Sequence, residues 1–469
     1  MPVSAAPEPT TDIVRIQNPV TGQTVGSVPR DTPVAVTDLL AQMSRERPGL
    51  RIEERSEVLH AAATALHQQR ERFARLISDE AGTCAKEALR EVQRASRNLT
   101  VAAEEALRTH GEALQIDASG RERIAITLHE PVGLVCAITP FNRPLNQVVV
   151  KVAPAIAAGA PVIVKPSERT PLSAIAFIEL LHSMGLPPLA AAVTTGLPTD
   201  VGATLLESPL IDMVTFTGSA DTGAALAKQI GLKKTLMELG GNDPLIVLED
   251  ADLERTADIA AAGAFSNAGQ SCRGVKRIIV VEDVADRLAR LIAERARKLK
   301  LGDIYDPRTD VGAMISAEAA ERVLDRCDRA VAEGAELVCG GTREGPIMVP
   351  TVLDRVSAQS RLVTKETLGP VAPILRVRDI EHALQVANGT VYGLQAGVMT
   401  KDLERFMFLA RHLRCGAVNF DEGPQFESPH IPFGGVKHSG LGREGIRWAI
   451  REMSTVKTVV LPSGAGALR

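Results

Sequence analysis

Between residues 133 and 239 the chain repeats one pattern: the short apolar runs "GLVCAIT", "PVIVK", "AAAVTT", "MVTFT" and "KTLMEL" alternate with helix-length segments broken by "GLP" or similar signals. That is the βαβ rhythm of a parallel sheet with helices on its faces, and it commits the chain to the α/β class. A second series begins near 255 with a helix, "RTADIAAAGAFSNAG", a strand, "RIIVVE", and a helix, "VADRLARLIAERARKL". It runs to about 440 and predicts a second α/β domain. Upstream, residues from about 34 to 115 carry apolar residues three and four apart, as in "RSEVLHAAATALHQQRERFARLISDEAG", and read as helices. "GRERIAITLHE" alternates like a half-exposed strand used for sheet extension, and "MSTVKTVVLPS" is a lone strand near the end.

Composition narrows the function classes. A chain of 469 residues with 45% hydrophobic content has room for about three domain-sized units. The formal charge of −4, from 57 acidic and 53 basic residues, offers no general attraction for nucleic acid or an anionic membrane. "MPVSAAPEPTTD" has no leader-like run, and the apolar stretch "NQVVVKVAPAIAAGAPVIVK" is broken by Lys151, two prolines and a glycine. A soluble cytoplasmic protein is expected. The six cysteines (84, 136, 272, 327, 339 and 415) form no C-x-x-C pair, so neither a disulfide framework nor a metal site is predicted.

Ligands collect at the carboxyl ends of strands in open α/β sheets. There "PVIVK" ends in Lys165-Pro166-Ser167-Glu168, and "MVTFT" ends in Gly218-Ser219 with Gly223 entering the next helix. A helix N-terminus with a serine hydroxyl suits a pyrophosphate, and Lys165 with Glu168 offers a donor and an acceptor for ribose hydroxyls. An acidic residue at a ribose disfavours a 2′-phosphate, so NAD is expected ahead of NADP. Three further residues sit on polar turns: Cys272 in "AFSNAGQSCRGVKR", Glu238 at the end of "TLMEL" before two glycines, and Asn142 between two prolines in "TPFNRPLN". A thiol, a carboxylate and an amide donor are the parts of acyl chemistry through a thioester. The nine histidines are scattered singly, so a Cys-His hydrolase is not supported.

"TPFN", "KPSE", "FTGS", "ELGGNDP", "GQSC", "KETLGPV" and "PFGGVKHSGLGREG", in this order across nearly the whole chain, resemble the NAD(P)-dependent aldehyde dehydrogenase superfamily. The resemblance implies a Rossmann-like cofactor domain (1–115 and 132–239), a catalytic domain (240–450) and a β oligomerisation flap (116–131 and 451–469) in a homodimer or homotetramer. It implies Cys272 as nucleophile, Asn142 and the Cys272 N–H as oxyanion donors, and Glu238 as the base that activates water. Lys165, Glu168, Gly218, Ser219 and Leu239 would hold the adenosine ribose and pyrophosphate region, and Glu366 the nicotinamide ribose.

Two positions depart from the family pattern: Leu368 stands where "E-x-F-G-P-V" has its aromatic residue, and Arg143 stands directly after the oxyanion asparagine, a position often aromatic in relatives. An arginine beside the reacting carbonyl invites a substrate with its own negative charge. Arg447, Arg94, Arg97, Ser271 and Arg273 are the other candidate substrate residues. Within the superfamily the chain is most similar to phosphonoacetaldehyde dehydrogenases, through "ITPFNRPLNQV", "MELGGNDPLIVL" and "AGQSCRGVKRI". The expected substrate is a small anionic aldehyde, phosphonoacetaldehyde or a close analogue such as phosphonoformaldehyde. A lactaldehyde, succinate-semialdehyde or non-phosphorylating glyceraldehyde-3-phosphate dehydrogenase is the alternative, and a silent structural protein retaining the fold is the non-enzyme one.

Overall fold

A computed structural model describes residues 12–46, 49–118 and 121–462. The parts of the expected cofactor domain and flap that fall at 1–11, 47–48, 119–120 and 463–469 lie outside the described residues. The five apolar runs of the first series form strands Val135–Ile138, Val162–Lys165, Ala191–Val193, Met213–Thr217 and Lys234–Glu238, all parallel. Their lateral order places Val135–Ile138 between Val162–Lys165 and Met213–Thr217. The chain therefore winds outward in both directions from Val135–Ile138, which makes the carboxyl end of that strand a topological switch point.

The sheet acquires a sixth strand from far along the sequence, Gly440–Leu441, antiparallel to Lys234–Glu238. Helix Ile446–Glu452 follows it and buries Ile446, Ala449 and Ile450 in the core formed by the first sheet and the helices Ile52–Gln68, Ala85–Ala106 and Asn146–Ala158. Residues 440–453 thus pack with the first unit, although the sequence pattern attached them to the second.

The second sheet has seven strands, in the order Glu336–Cys339, Thr351–Asp354, Val371–Val377, Arg277–Val281, Pro244–Val247, Gln395–Met399 and Ala417–Phe420. All are parallel except the edge strand Glu336–Cys339. A short link, 239–243, leads from the carboxyl end of Lys234–Glu238 into the amino end of Pro244–Val247. The carboxyl ends of the first sheet consequently face the amino ends of the second, and the loop before Arg277–Val281, which carries Cys272, meets the cofactor-side loops there.

A third sheet pairs Arg121–Pro131 with Ser454–Pro462 on one side and with Ala113–Ala118 on the other, all antiparallel. Ala113–Ala118 begins inside the stretch read as helical from sequence. The helical pattern ends with Ala85–Ala106, and "ALQIDA" alternates with period two as a strand does. Val456, Val460 and Leu461 of this sheet are exposed.

Candidate active site

Two cavities meet at Cys272. The first, of about 540 Å³, opens at the switch point and is walled by Thr139, Lys165, Glu168, Gly218, Ser219, Leu239, Glu366 and Leu368. Gly218 N–H donates to Glu238 O at 3.1 Å, tying adjacent strand ends together. Ser219 caps helix Ala220–Ile230, its hydroxyl accepting from Thr222 N–H at 3.1 Å, so the unsatisfied first-turn amides lie at the cavity wall.

The groups here fit a dinucleotide. Thr139 Oγ1 and Thr217 Oγ1 are buried without a hydrogen-bond partner. Lys165 Nζ donates to Pro166 O at 3.1 Å, which leaves ammonium protons for a ligand, and burial lowers its pKa against the opposing charge of Glu168. A Cβ on Gly240 would collide with the Glu366 carboxylate. Only glycine lets that carboxylate lie against the backbone, where its Oε1 accepts from Gly241 N–H at 3.2 Å. Burial pushes Glu366 up to about 7, with the ammonium of Lys276 pulling the other way.

Cys272 is half-buried at the junction. The approach to it is strained: Asn267, Ala268 and Gly269 adopt successive left-handed conformations, with φ of 54°, 52° and 67°. Each non-glycine residue there costs about 1–2 kcal/mol. Side chains hold the turn in place. Asn267 Nδ2 donates to Asn142 O at 2.9 Å, Gln270 Oε1 accepts from Ile315 N–H at 2.9 Å, and Lys276 Nζ donates to Gly269 O. Asn142 lines both cavities, and its Nδ2 donates to Gln270 O at 2.8 Å while its buried Oδ1 has no partner. The second Nδ2 proton of that primary amide is left over in a cavity wall that Asn142 shares with Cys272. Burial pushes the Cys272 thiol up to about 12; Arg273 opposes this, and the carboxyl groups of Glu366, Asp243 and Glu238 add to it.

Glu238 is 2% exposed, and neither carboxyl oxygen has a hydrogen-bond partner. Burial and then the charge of Glu444 raise its pKa well above the ordinary value, against the charge of Lys151. Lys151 is fully buried and donates to Glu444 Oε1 and, at 3.1 Å, to Thr215 Oγ1. Neither Lys151 nor Glu444 was singled out from sequence. A lone lysine inside the apolar helix "NQVVVKVAPAIAA" was the available signal, since a lysine there must be paired.

The second cavity, of about 230 Å³, is lined by Arg94, Arg97, Arg143, Ser271 and Arg273 together with Glu427. Arg143 lies 3.6 Å from Glu87, and Arg94 and Arg273 both pair with Glu427. Arg447 does not join them. It is 56% exposed and lies 3.9 Å from Glu105. The reason is helical geometry: Ile446, Ala449 and Ile450 take the buried face, which turns position 447 outward. Among the described residues no cluster of three or more His, Cys, Asp or Glu could hold a metal, and no helix is long and apolar enough to cross a membrane.

A dinucleotide-sized cavity and a cation-lined cavity thus share one thiol, Cys272. The chain belongs to the aldehyde dehydrogenase family, whose model matches residues 6–459. It is 40% identical over 410 residues to 3-sulfolactaldehyde dehydrogenase of Priestia aryabhattai, covering 87% of this chain and 86% of that one. It is 35% identical to lactaldehyde dehydrogenase of Methanococcus aeolicus, over 96% of this chain and 97% of the relative. NADP-dependent glyceraldehyde-3-phosphate dehydrogenase of Bacillus halodurans, solved with NADP, superposes with a TM-score of 0.94 at 36% identity, covering 97% of each chain. The α/β fold and the dehydrogenase class expected from the motifs are borne out. These relatives do not include a phosphonoacetaldehyde dehydrogenase, and the nicotinamide cofactor is established more broadly than the choice between NAD and NADP.

Proposed function

We propose that this dehydrogenase oxidises a small aldehyde with an anionic end, a phosphonate such as phosphonoacetaldehyde or phosphonoformaldehyde, to the carboxylate through a thioester on Cys272, using NAD. The observation that carries the reading is the convergence of Arg94, Arg143 and Arg273 on the cavity that ends at the thiol. Arginines present planar, permanently charged forks matched to tetrahedral oxyanions. The names of two relatives, a sulfolactaldehyde and a glyceraldehyde-3-phosphate dehydrogenase, both specify strongly anionic aldehydes.

Cys272 releases its thiol proton to solvent and attacks the aldehyde carbon as a thiolate, forming a C–S bond while the carbonyl oxygen takes the negative charge. Asn142 Nδ2 and the Cys272 N–H donate to that oxygen. Bound nicotinamide supplies the acceptor for the hydride that converts the adduct into a thioester. Lys165, Glu168 and Ser219 hold the adenosine side and Glu366 the nicotinamide ribose, with Glu168 disfavouring a 2′-phosphate. Glu238 then takes a proton from water as the water oxygen attacks the thioester, releasing the carboxylate and the Cys272 thiol. Its raised proton affinity and two vacant acceptor oxygens equip it for this role. The exposed apolar residues of the third sheet support a homodimer or homotetramer.

The test is a panel of aldehydes at equal low concentration with NAD reduction followed. Phosphonoacetaldehyde is expected to exceed propionaldehyde in kcat/KM by at least about a hundredfold, since two charge-assisted contacts are at stake. A preference for propionaldehyde or lactaldehyde overturns the anionic reading, the latter in favour of the activity named for the Methanococcus relative.

A further inference from the structure

An anion pocket with a carboxylate in its wall is chemically unusual. Glu427 stands between Arg94 and Arg273, one carboxylate oxygen on each, and it lines the cavity with 32% of its side-chain surface still accessible. Arg273 is itself fixed, donating to Gln425 O at 3.0 Å and lying with its guanidinium 5.9 Å from the Phe433 ring centroid. Burial acts to raise the Glu427 pKa, but Arg273, Arg94 and the hydrogen bond from Arg273 outweigh it and hold the group below its ordinary value. An ionised carboxylate accepts hydrogen bonds and donates none. Any bare oxyanion brought to the same arginines meets this like charge, whereas an oxygen that carries a proton meets an acceptor.

We propose that Glu427 is a specificity-determining residue that requires a hydroxyl donor at the anionic end of the substrate. This inference rests on the anionic-aldehyde reading above. Two sources supply such a donor: the P–OH of a monoprotonated phosphonate, or a carbinol one methylene away from the anionic group, as in sulfolactaldehyde. A fully ionised sulfonate without a neighbouring hydroxyl has only acceptors, and the pocket rejects it. Arg94 and Arg273 then serve both the substrate oxyanions and Glu427, which keeps the site net cationic while retaining one acceptor.

The test compares kcat/KM for phosphonoacetaldehyde, sulfoacetaldehyde, sulfolactaldehyde and propionaldehyde in the parent, Glu427→Gln and Glu427→Asp. In the parent at pH 6, phosphonoacetaldehyde or sulfolactaldehyde, or both, should exceed sulfoacetaldehyde at least about tenfold, the scale of one hydrogen bond to a charged group. Phosphate-type groups lose their second proton near about pH 6. A P–OH source therefore predicts that the phosphonate advantage shrinks by pH 8.5, whereas a carbinol source keeps the sulfolactaldehyde advantage constant. Glu427→Gln, whose amide can donate to a sulfonate, should bring the donor-bearing and donor-free substrates within about threefold, and Glu427→Asp should preserve their order. A parent that uses sulfoacetaldehyde within about threefold of both others, with every anionic aldehyde still ahead of propionaldehyde, overturns this inference and leaves the anionic reading standing. Propionaldehyde ahead of all three overturns both. The parent's substrate ratios and pH dependence decide the matter even if the Gln variant does not fold.

Discussion

Removing Lys151 should damage the protein in a way that identifies its partner. The side chain is fully buried, its Glu444 partner is 6% exposed, and Glu238 lies close enough to Glu444 for their charges to interact. Lys151→Met fills much of the same volume but leaves the Glu444 carboxylate buried without its cation. Breaking a buried pair from one side costs about 3–5 kcal/mol, whereas replacing both members by neutral groups costs far less. Lys151→Met should therefore lower unfolding free energy in a guanidinium titration by about 3–5 kcal/mol, and Lys151→Met/Glu444→Gln should recover most of the loss. Lys151 is the larger of two cations that lower the Glu238 pKa, Arg443 being the other, so the substitution should move any pH dependence of kcat that follows Glu238 ionisation to higher pH. A single variant within 1 kcal/mol of the parent, or a double variant no better than the single, would refute this account of the cluster.

Asn142→Ala should reduce kcat by about a hundredfold to a thousandfold with cofactor affinity unchanged, measured by steady-state rates beside fluorescence titration of NADH. Glu168→Gln should narrow the kcat/KM ratio of NAD to NADP by about tenfold, because it removes the carboxylate expected to repel a 2′-phosphate. Arg143→Ala should lower kcat/KM for phosphonoacetaldehyde by about tenfold to a hundredfold. Arg447→Ala should change it less than twofold, since that guanidinium lies outside the cavity.

The sheet architecture was legible because each buried parallel strand is an apolar run bounded by breakers, and the thiol and amide picked out on polar turns, Cys272 and Asn142, line the same two cavities, whereas Glu238 lines neither. What the sequence concealed depends on direction and on distant partners. Arg447 shows the first: a segment that faces the active site by resemblance to the family turns this one position outward, because its neighbours Ile446, Ala449 and Ile450 take the inner face. Glu427 shows the second, because nothing in "QFESPH" reveals that two arginines from Ala85–Ala106 and from the Cys272 loop converge on it. The left-handed run Asn267–Gly269 could not be read either, since alanine at positive φ is tolerated only where the surrounding structure enforces it.

Rapid mixing of Glu238→Gln with NAD and phosphonoacetaldehyde tests the division of labour between thiol and carboxylate most directly. Hydride transfer needs Cys272 and Asn142, whereas only thioester hydrolysis needs Glu238. The variant should release a burst of about one NADH per site and then stall, with the acyl group found on the Cys272 peptide by mass spectrometry. A variant that gives no burst, or one whose acyl group lies on any other residue, contradicts the assignment of nucleophile and base.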